Sequence, residues 1–122
     1  MRNQYFKKDK KVKLITKYSE RSPYGQYIEH YKYISNKSFW AYATQLSQDQ
    51  VYQAASFGES ENRFFVLNYR NDLNLYDFVE YRGKYYSITR LDTKDDYKGE
   101  LFVYVRDAKQ GDTPKDIEPA DD

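Results

Sequence analysis

The sequence predicts an all-β, mainly antiparallel domain: a small barrel or sandwich of about seven strands with one short helical insertion. Three observations carry this. Several segments of six to ten residues alternate apolar and polar side chains, the signature of half-buried strands. Fifteen tyrosines and seven phenylalanines stand beside five glycines and three prolines, and large rings suit a pleated surface. Finally, Arg82-Gly83-Lys84 separates two strand-like runs closely enough to read as a hairpin. With 122 residues the chain fits one domain.

The elements follow in order. Residues 1–10 (MRNQYFKKDK) are polar and charged and read as a flexible basic arm. Residues 11–18 (KVKLITKY) set Val12, Leu14 and Thr16 against Lys11, Lys13 and Lys17, a half-buried strand. Residues 19–25, with Ser22-Pro23 and Gly25, make a turn. Residues 26–34 alternate again, Tyr27, Glu29, Tyr31 and Tyr33 against Ile28, His30, Lys32 and Ile34. Residues 39–46 (FWAYATQL) form a third strand, in which Trp40, the sole tryptophan, is expected to anchor the packing.

Residues 47–57 (SQDQVYQAASF) change period. Ser47 with Gln50 has the form of a capping box, Val51, Tyr52 and Ala55 recur at helical spacing, and Gly58 follows as a stop. Strands are expected over residues 61–70, 78–81, 85–91 and 100–106, with a charged loop at 92–98. The end of the chain, 107–122, carries Pro114 and Pro119 and almost no apolar residues, so it reads as a disordered acidic tail behind the 11–106 barrel domain.

Composition excludes several function classes. Twenty Lys and Arg against nineteen Asp and Glu leave a net charge of +1, giving no bulk attraction for nucleic acid or membrane. The charge is uneven: residues 1–40 hold ten basic and three acidic groups, and residues 107–122 hold two and six. A basic front and an acidic end suit head-to-tail contacts between neighbours as well as any DNA role. No cysteine exists, which removes disulfides, thiolate metal sites and cysteine nucleophiles, and the single His30 removes multi-histidine sites. The Asp92, Asp95, Asp96 and Glu100 group lacks the spacing of a calcium loop, and the glycines stand singly, so no phosphate-cradling loop occurs. No apolar run approaches a membrane span, and the Lys-rich start lacks the apolar core of a signal peptide. The expectation is a soluble protein of a reducing compartment that is not an enzyme, needs no cofactor and binds no membrane.

One ordered set of motifs spans roughly 70 of the 122 residues. It begins with Trp40-Ala41 and the helical stretch Asp49-Gln50-Val51-Tyr52-Gln53-Ala54. It continues through Asn68-Tyr69-Arg70-Asn71-Asp72-Leu73 and the hairpin Glu80-Tyr81-Arg82-Gly83-Lys84-Tyr85-Tyr86-Ser87-Ile88, and ends in the strand at 101–105. In this order and spacing the chain resembles the head–tail joining, or head-closure, proteins of tailed bacteriophages. The Tyr-rich region 18–39 and the acidic tail depart from that pattern.

The resemblance implies a structural virion protein of the phage neck, made in the cytoplasm of a bacterial host. It implies a β-barrel subunit that forms a ring, commonly a dodecamer, with a portal-bound adaptor above and a tail terminator or tail tube below. Such a stopper or connector helps retain packaged double-stranded DNA in its channel and docks the tail. Candidate partner contacts are Gln48, Gln50, Gln53, Ser56, Phe57 and Glu59, mostly polar and uncharged and able to order against a neighbour without burying unpaired charge. Equally open is a helix that plugs one barrel end with Val51, Tyr52 and Ala55. Lys7, Lys8, Lys10, Lys11 and Lys13 are the candidate DNA-phosphate contacts. The rival reading is a small nucleic-acid-binding barrel whose Tyr-rich strands stack bases while the lysine arm tracks phosphates. The position of the positive charge discriminates: on the tyrosine-bearing strand face for the rival, on an arm or channel lining for the connector.

Overall fold

The computed structural model describes residues 6–45, 61–93 and 99–122. Seven strands run as β1 (Lys10–Arg21), β2 (Tyr27–Tyr33), β3 (Phe39–Gln45), β4 (Arg63–Asn68), β5 (Phe78–Tyr81), β6 (Lys84–Asp92) and β7 (Glu100–Asp107). All strand pairings are antiparallel, in the order β2-β1-β3-β4-β7-β6-β5, and β5 returns to β1. Six strands therefore close a barrel, and closure removes the free edges of an open sheet. β2 lies outside the closed set. The expected helix over 47–57 lies outside the described residues.

Alternation places the barrel core. Val12 and Leu14 of β1, Phe65 and Leu67 of β4, Val79 of β5, Ile88 of β6 and Val103 and Val105 of β7 meet inside. Phe65 sits edge-on to Tyr81 and Tyr86, with centroids 5.4 and 5.9 Å away, the arrangement the ring quadrupole favours. In β3 it is Ala41 that points inward and is fully buried, whereas Trp40 is 56% exposed with Lys11 Nζ 4.9 Å from its ring centroid. This corrects the expectation of a core tryptophan: a period of two sends neighbours to opposite faces, and the small side chain takes the crowded one.

The turn between β5 and β6 forms as expected. Arg82 and Gly83 both adopt positive φ (52° and 78°), the pair required by a two-residue turn whose twist matches the flanking strands. A bulge interrupts β6 at Ile88/Arg90 and aims Thr89 at the buried Glu61, which is 3% exposed. The Thr89 hydroxyl donates to Glu61 Oε2 (2.8 Å) and the Arg90 guanidinium to Oε1 (3.0 Å), so both carboxylate oxygens are engaged.

A second aromatic cluster covers part of the outer wall. Phe6 stands edge-on to Tyr42 (5.2 Å) and Phe102 (5.1 Å), and Phe64 bridges Tyr42, Phe102 and Tyr104. Lys8 pairs with Glu100 at the start of β7. Of the expected arm, Phe6 and Lys8 contact the barrel through one ring and one ion pair, and Lys10 already pairs with Ala41 as the start of β1. The acidic segment 107–122, expected as a disordered tail, lies along β2 through hydrogen bonds described below. Its sequence offers few apolar side chains, of which Pro114 is buried, and an edge strand supplies main-chain partners that composition does not register.

Candidate assembly surface

The site is built by a strand that outruns its barrel. β1 pairs with β3 over residues 10–12, with β5 over 13–15 and with β2 over 15–21, so its second half projects as a hairpin. Asp77 sets the point of departure. Its Oδ1 accepts from the Lys17 main-chain N–H (3.2 Å) and the Thr16 hydroxyl (3.3 Å), and its Oδ2 accepts from the Asn74 N–H (2.9 Å). At 3% exposure its carboxyl is pushed above the usual aspartate range by burial, and these hydrogen bonds pull it partly back.

Ser22 closes the hairpin tip. Its main-chain N–H donates to Gln26 O (2.7 Å), its hydroxyl oxygen accepts from the Tyr24 and Gln26 N–H groups, and Gly25 takes φ 86°. Beyond the barrel both faces of the hairpin meet solvent. Tyr24 is 92% and Tyr27 72% exposed, with Ile28 and Tyr18 also on the surface. Nearer the barrel the hairpin is anchored: Tyr31 packs edge-on to Phe78, and the Tyr33 hydroxyl donates to Glu80 Oε1 at 2.7 Å. Burial and that carboxylate push the Tyr33 phenol up to about 12.

The C-terminal segment docks on the outer edge of β2. Glu118 forms a parallel bridge with Lys32, its N–H donating to Tyr31 O (2.8 Å) and its carbonyl accepting from the Tyr33 N–H (3.0 Å). The Glu118 carboxylate accepts from the Tyr18 hydroxyl (2.8 Å) and lies 3.5 Å from His30 Nδ1, while Glu20 lies 3.1 Å from Nε2. Tyr18 stacks on the His30 ring. The two carboxylates face opposite ring nitrogens, so they do not converge on a common ion. Farther along, Asp121 pairs with Lys32 (3.0 Å), Asp122 accepts from the Ser35 hydroxyl and the Asn36 N–H, and the Asn36 side chain exchanges hydrogen bonds with the main chain of Ala120. The Ser35 and Asn36 donors hold Asp122 below the usual aspartate range.

The five candidate phosphate lysines each have different surroundings. Lys8 pairs with Glu100, Lys10 pairs with Asp9, Lys11 lies over Trp40 and Lys13 over Tyr33, while Lys7 is exposed. Lys17 is likewise paired, with Glu29. Gln48, Gln50, Gln53, Ser56, Phe57 and Glu59 lie outside the described residues. An open cleft of about 260 Å³ lies between β3 and the end of β4, lined by Phe39, Trp40, Leu67, Tyr69 and Arg70. There Arg70 stacks on Phe39 at 4.3 Å and makes a two-pronged pair with Asp72 (2.6 and 2.7 Å), which keeps Asp72 below its ordinary range. Among the described residues no group of three or more His, Asp or Glu side chains is placed to hold a metal ion.

Sequence reasoning missed the tail–β2 contact and Asp77. The first joins residues more than 80 positions apart, and the second depends on where one strand leaves a barrel. The even spread of Tyr and Ile across both faces of 24–28 was the one local signal that this hairpin is not core.

No family model and no curated protein matches the chain. Among solved structures it is similar to protein SF1141 from Shigella flexneri 2a, a solution structure from a structural genomics consortium. The TM-score is 0.72 at 14% identity, over 86% of this chain and 96% of that one. At that identity the likeness shows the fold alone: a small barrel carried by a very different sequence.

Proposed function

We propose that the chain is a structural subunit of the phage neck, a head-closure or connector protein that assembles into a ring, helps retain packaged DNA and docks the tail. The observation that carries this reading is the hairpin that projects beyond the closed barrel, tipped by Tyr24, Tyr27 and Ile28. An apolar tip on a stalk has no role in its own subunit's core, and it suits a grip on a neighbour. Copies that contact one another through two different patches close into rings when the rotation allows, which is the geometry a channel needs. The ordered motif set at 40–107 supports the same reading.

The rival nucleic-acid barrel has less support. Its lysines would have to track phosphates, yet four of the five candidates already face a carboxylate or lie over a ring. Its aromatic platform would need open ring faces; the rings over β3, β4 and β7 pack on one another, which leaves Tyr24 and Tyr27 of the hairpin for that role.

Electron microscopy of the purified protein mixed with portal and adaptor tests the proposal. The expected image is a ring of barrels seated on the adaptor, with the free subunit monomeric or weakly associated by light scattering. No association with the portal–adaptor complex, together with tight, salt-resistant binding of single-stranded DNA, would replace the connector by the rival.

A further inference from the structure

The outer edge of β2 is longer than the segment that covers it. Glu118 bonds to Tyr31 O and to the Tyr33 N–H, so those residues direct their main-chain groups away from β1. Alternation then turns Tyr27 and Glu29 the same way, and among the described residues no strand pairs with that stretch. Beside it stand the exposed Tyr27 and Ile28. An open edge next to exposed apolar side chains is a template for strand addition.

The edge also has a charge preference. Lys32 and Lys37 line or flank it, and the segment it holds belongs to the stretch 107–122, with two basic and six acidic residues. Its grip is spread along the segment: Tyr18 on Glu118, Lys32 on Asp121, and Ser35 and Asn36 on Asp122. All of these side-chain contacts are solvent-exposed, and the hinge at 109–112 is exposed with a turn at Gly111 (φ 94°). Pro114 is the one buried residue of 113–122, so few buried contacts oppose detachment.

We propose that the outer edge of β2 is a strand-acceptor site for the C-terminal segment of a second copy of this chain, and that in the free subunit the chain's own segment fills it. Exchange preserves every contact of the docked segment, because donor and acceptor are identical in each copy, so its energetic cost is low. What it adds is a second body brought against Tyr24, Tyr27 and Ile28, the surface that the chain's own segment leaves open. The inference stands apart from the phage-neck reading, since it requires only that copies meet.

The absence of natural cysteine makes the test clean. Lys32 and Glu118 are bridge partners, so cysteines there face each other at disulfide range when the segment is docked. Two full-length single variants, Lys32→Cys and Glu118→Cys, are mixed in equal amounts and oxidised with diamide, then resolved on non-reducing gels. A mixture of Lys84→Cys, on the β5–β6 turn, with Glu118→Cys is the collision control. The tether holds the chain's own segment at an effective concentration of about 1 mM, so exchange is rare in dilute solution and the disulfide accumulates it. The expected result is a mixed dimer whose yield rises with protein concentration and exceeds the control. A Lys32→Cys/Glu118→Cys double variant that closes only within one chain, with mixed single variants no better than the control, overturns the proposal. Imaging with portal and adaptor is read separately, so a ring without exchange and exchange without a ring are distinct results.

Discussion

Replacing Asp77 by alanine removes the contact that ends the barrel seam and releases the hairpin. Three donors converge on this carboxylate, two of them main-chain N–H groups from Lys17 and Asn74. The Thr16 hydroxyl can rotate toward water, but the two N–H groups are fixed by the backbone. Leaving a buried donor unsatisfied costs about 1–3 kcal/mol. Lys17 and Asn74 sit at the surface side of the contact, so water recovers part of that. Removing a carboxylate that burial penalises offsets a further part. The expected net loss is about 2–3 kcal/mol, or roughly 10 °C in Tm for a domain of this size. Urea unfolding followed by circular dichroism measures it, and amide exchange of Lys17 and Asn74 localises it.

The same carboxyl carries a pH signature. Its folded-state pKa is raised above the ordinary 3.8, so the folded protein holds the proton more tightly than the unfolded chain. Its ionisation therefore costs stability above the folded pKa, and the cost is relieved as pH falls through that value toward 3.8. Asp72 and Asp122, both lowered, act in the opposite sense, their stabilisation being lost as pH falls through their folded pKa values. The readout is thus the wild type minus Asp77→Asn difference, which should shift in favour of the wild type on acidification from neutral. An alanine variant within about 0.5 kcal/mol of wild type, the range of an ordinary surface substitution, with Lys17 still protected, would refute the assignment of Asp77 as the seam's anchor.

Three further outcomes are expected. Gly83→Ala meets no atom within 4 Å, so its cost is the positive φ alone, about 1 kcal/mol by thermal melting. Phe6→Ala strips the outer face of Phe102 and Tyr42 and should cost about 1–3 kcal/mol in urea unfolding, whereas a loose arm would cost nothing. DNA affinity of the free subunit by anisotropy should be weak, sequence-blind and steeply salt-dependent. Salt-resistant single-strand binding lost in Tyr24→Ala/Tyr27→Ala would count against the connector.

Local physics made the strands legible. Alternation in 11–18 and 26–34, the aromatic runs at 61–70 and 100–106, and the Arg82-Gly83 turn each depend on neighbours a few residues away, and each appears at nearly its expected place. The charge polarity of the chain was equally plain. Alternation, however, divides a strand into two faces without saying which face is inside or which strand lies beside it. The chain alone therefore left Trp40 and Ala41 exchangeable, and only closure of the barrel through β1 and β5, whose paired residues lie more than 60 positions apart, turned Ala41 inward. The exclusion of β2 from the barrel was likewise decided by a register, since β1 spends its first six residues on β3 and β5 and has its remaining length for β2 alone. The acidic segment shows the limit most clearly. Its apolar poverty leaves Pro114 as its one buried residue beyond 112, yet main-chain groups of an edge strand and the scattered side chains of Tyr18, Lys32, Ser35 and Asn36 give it a place, and those partners come together only in three dimensions.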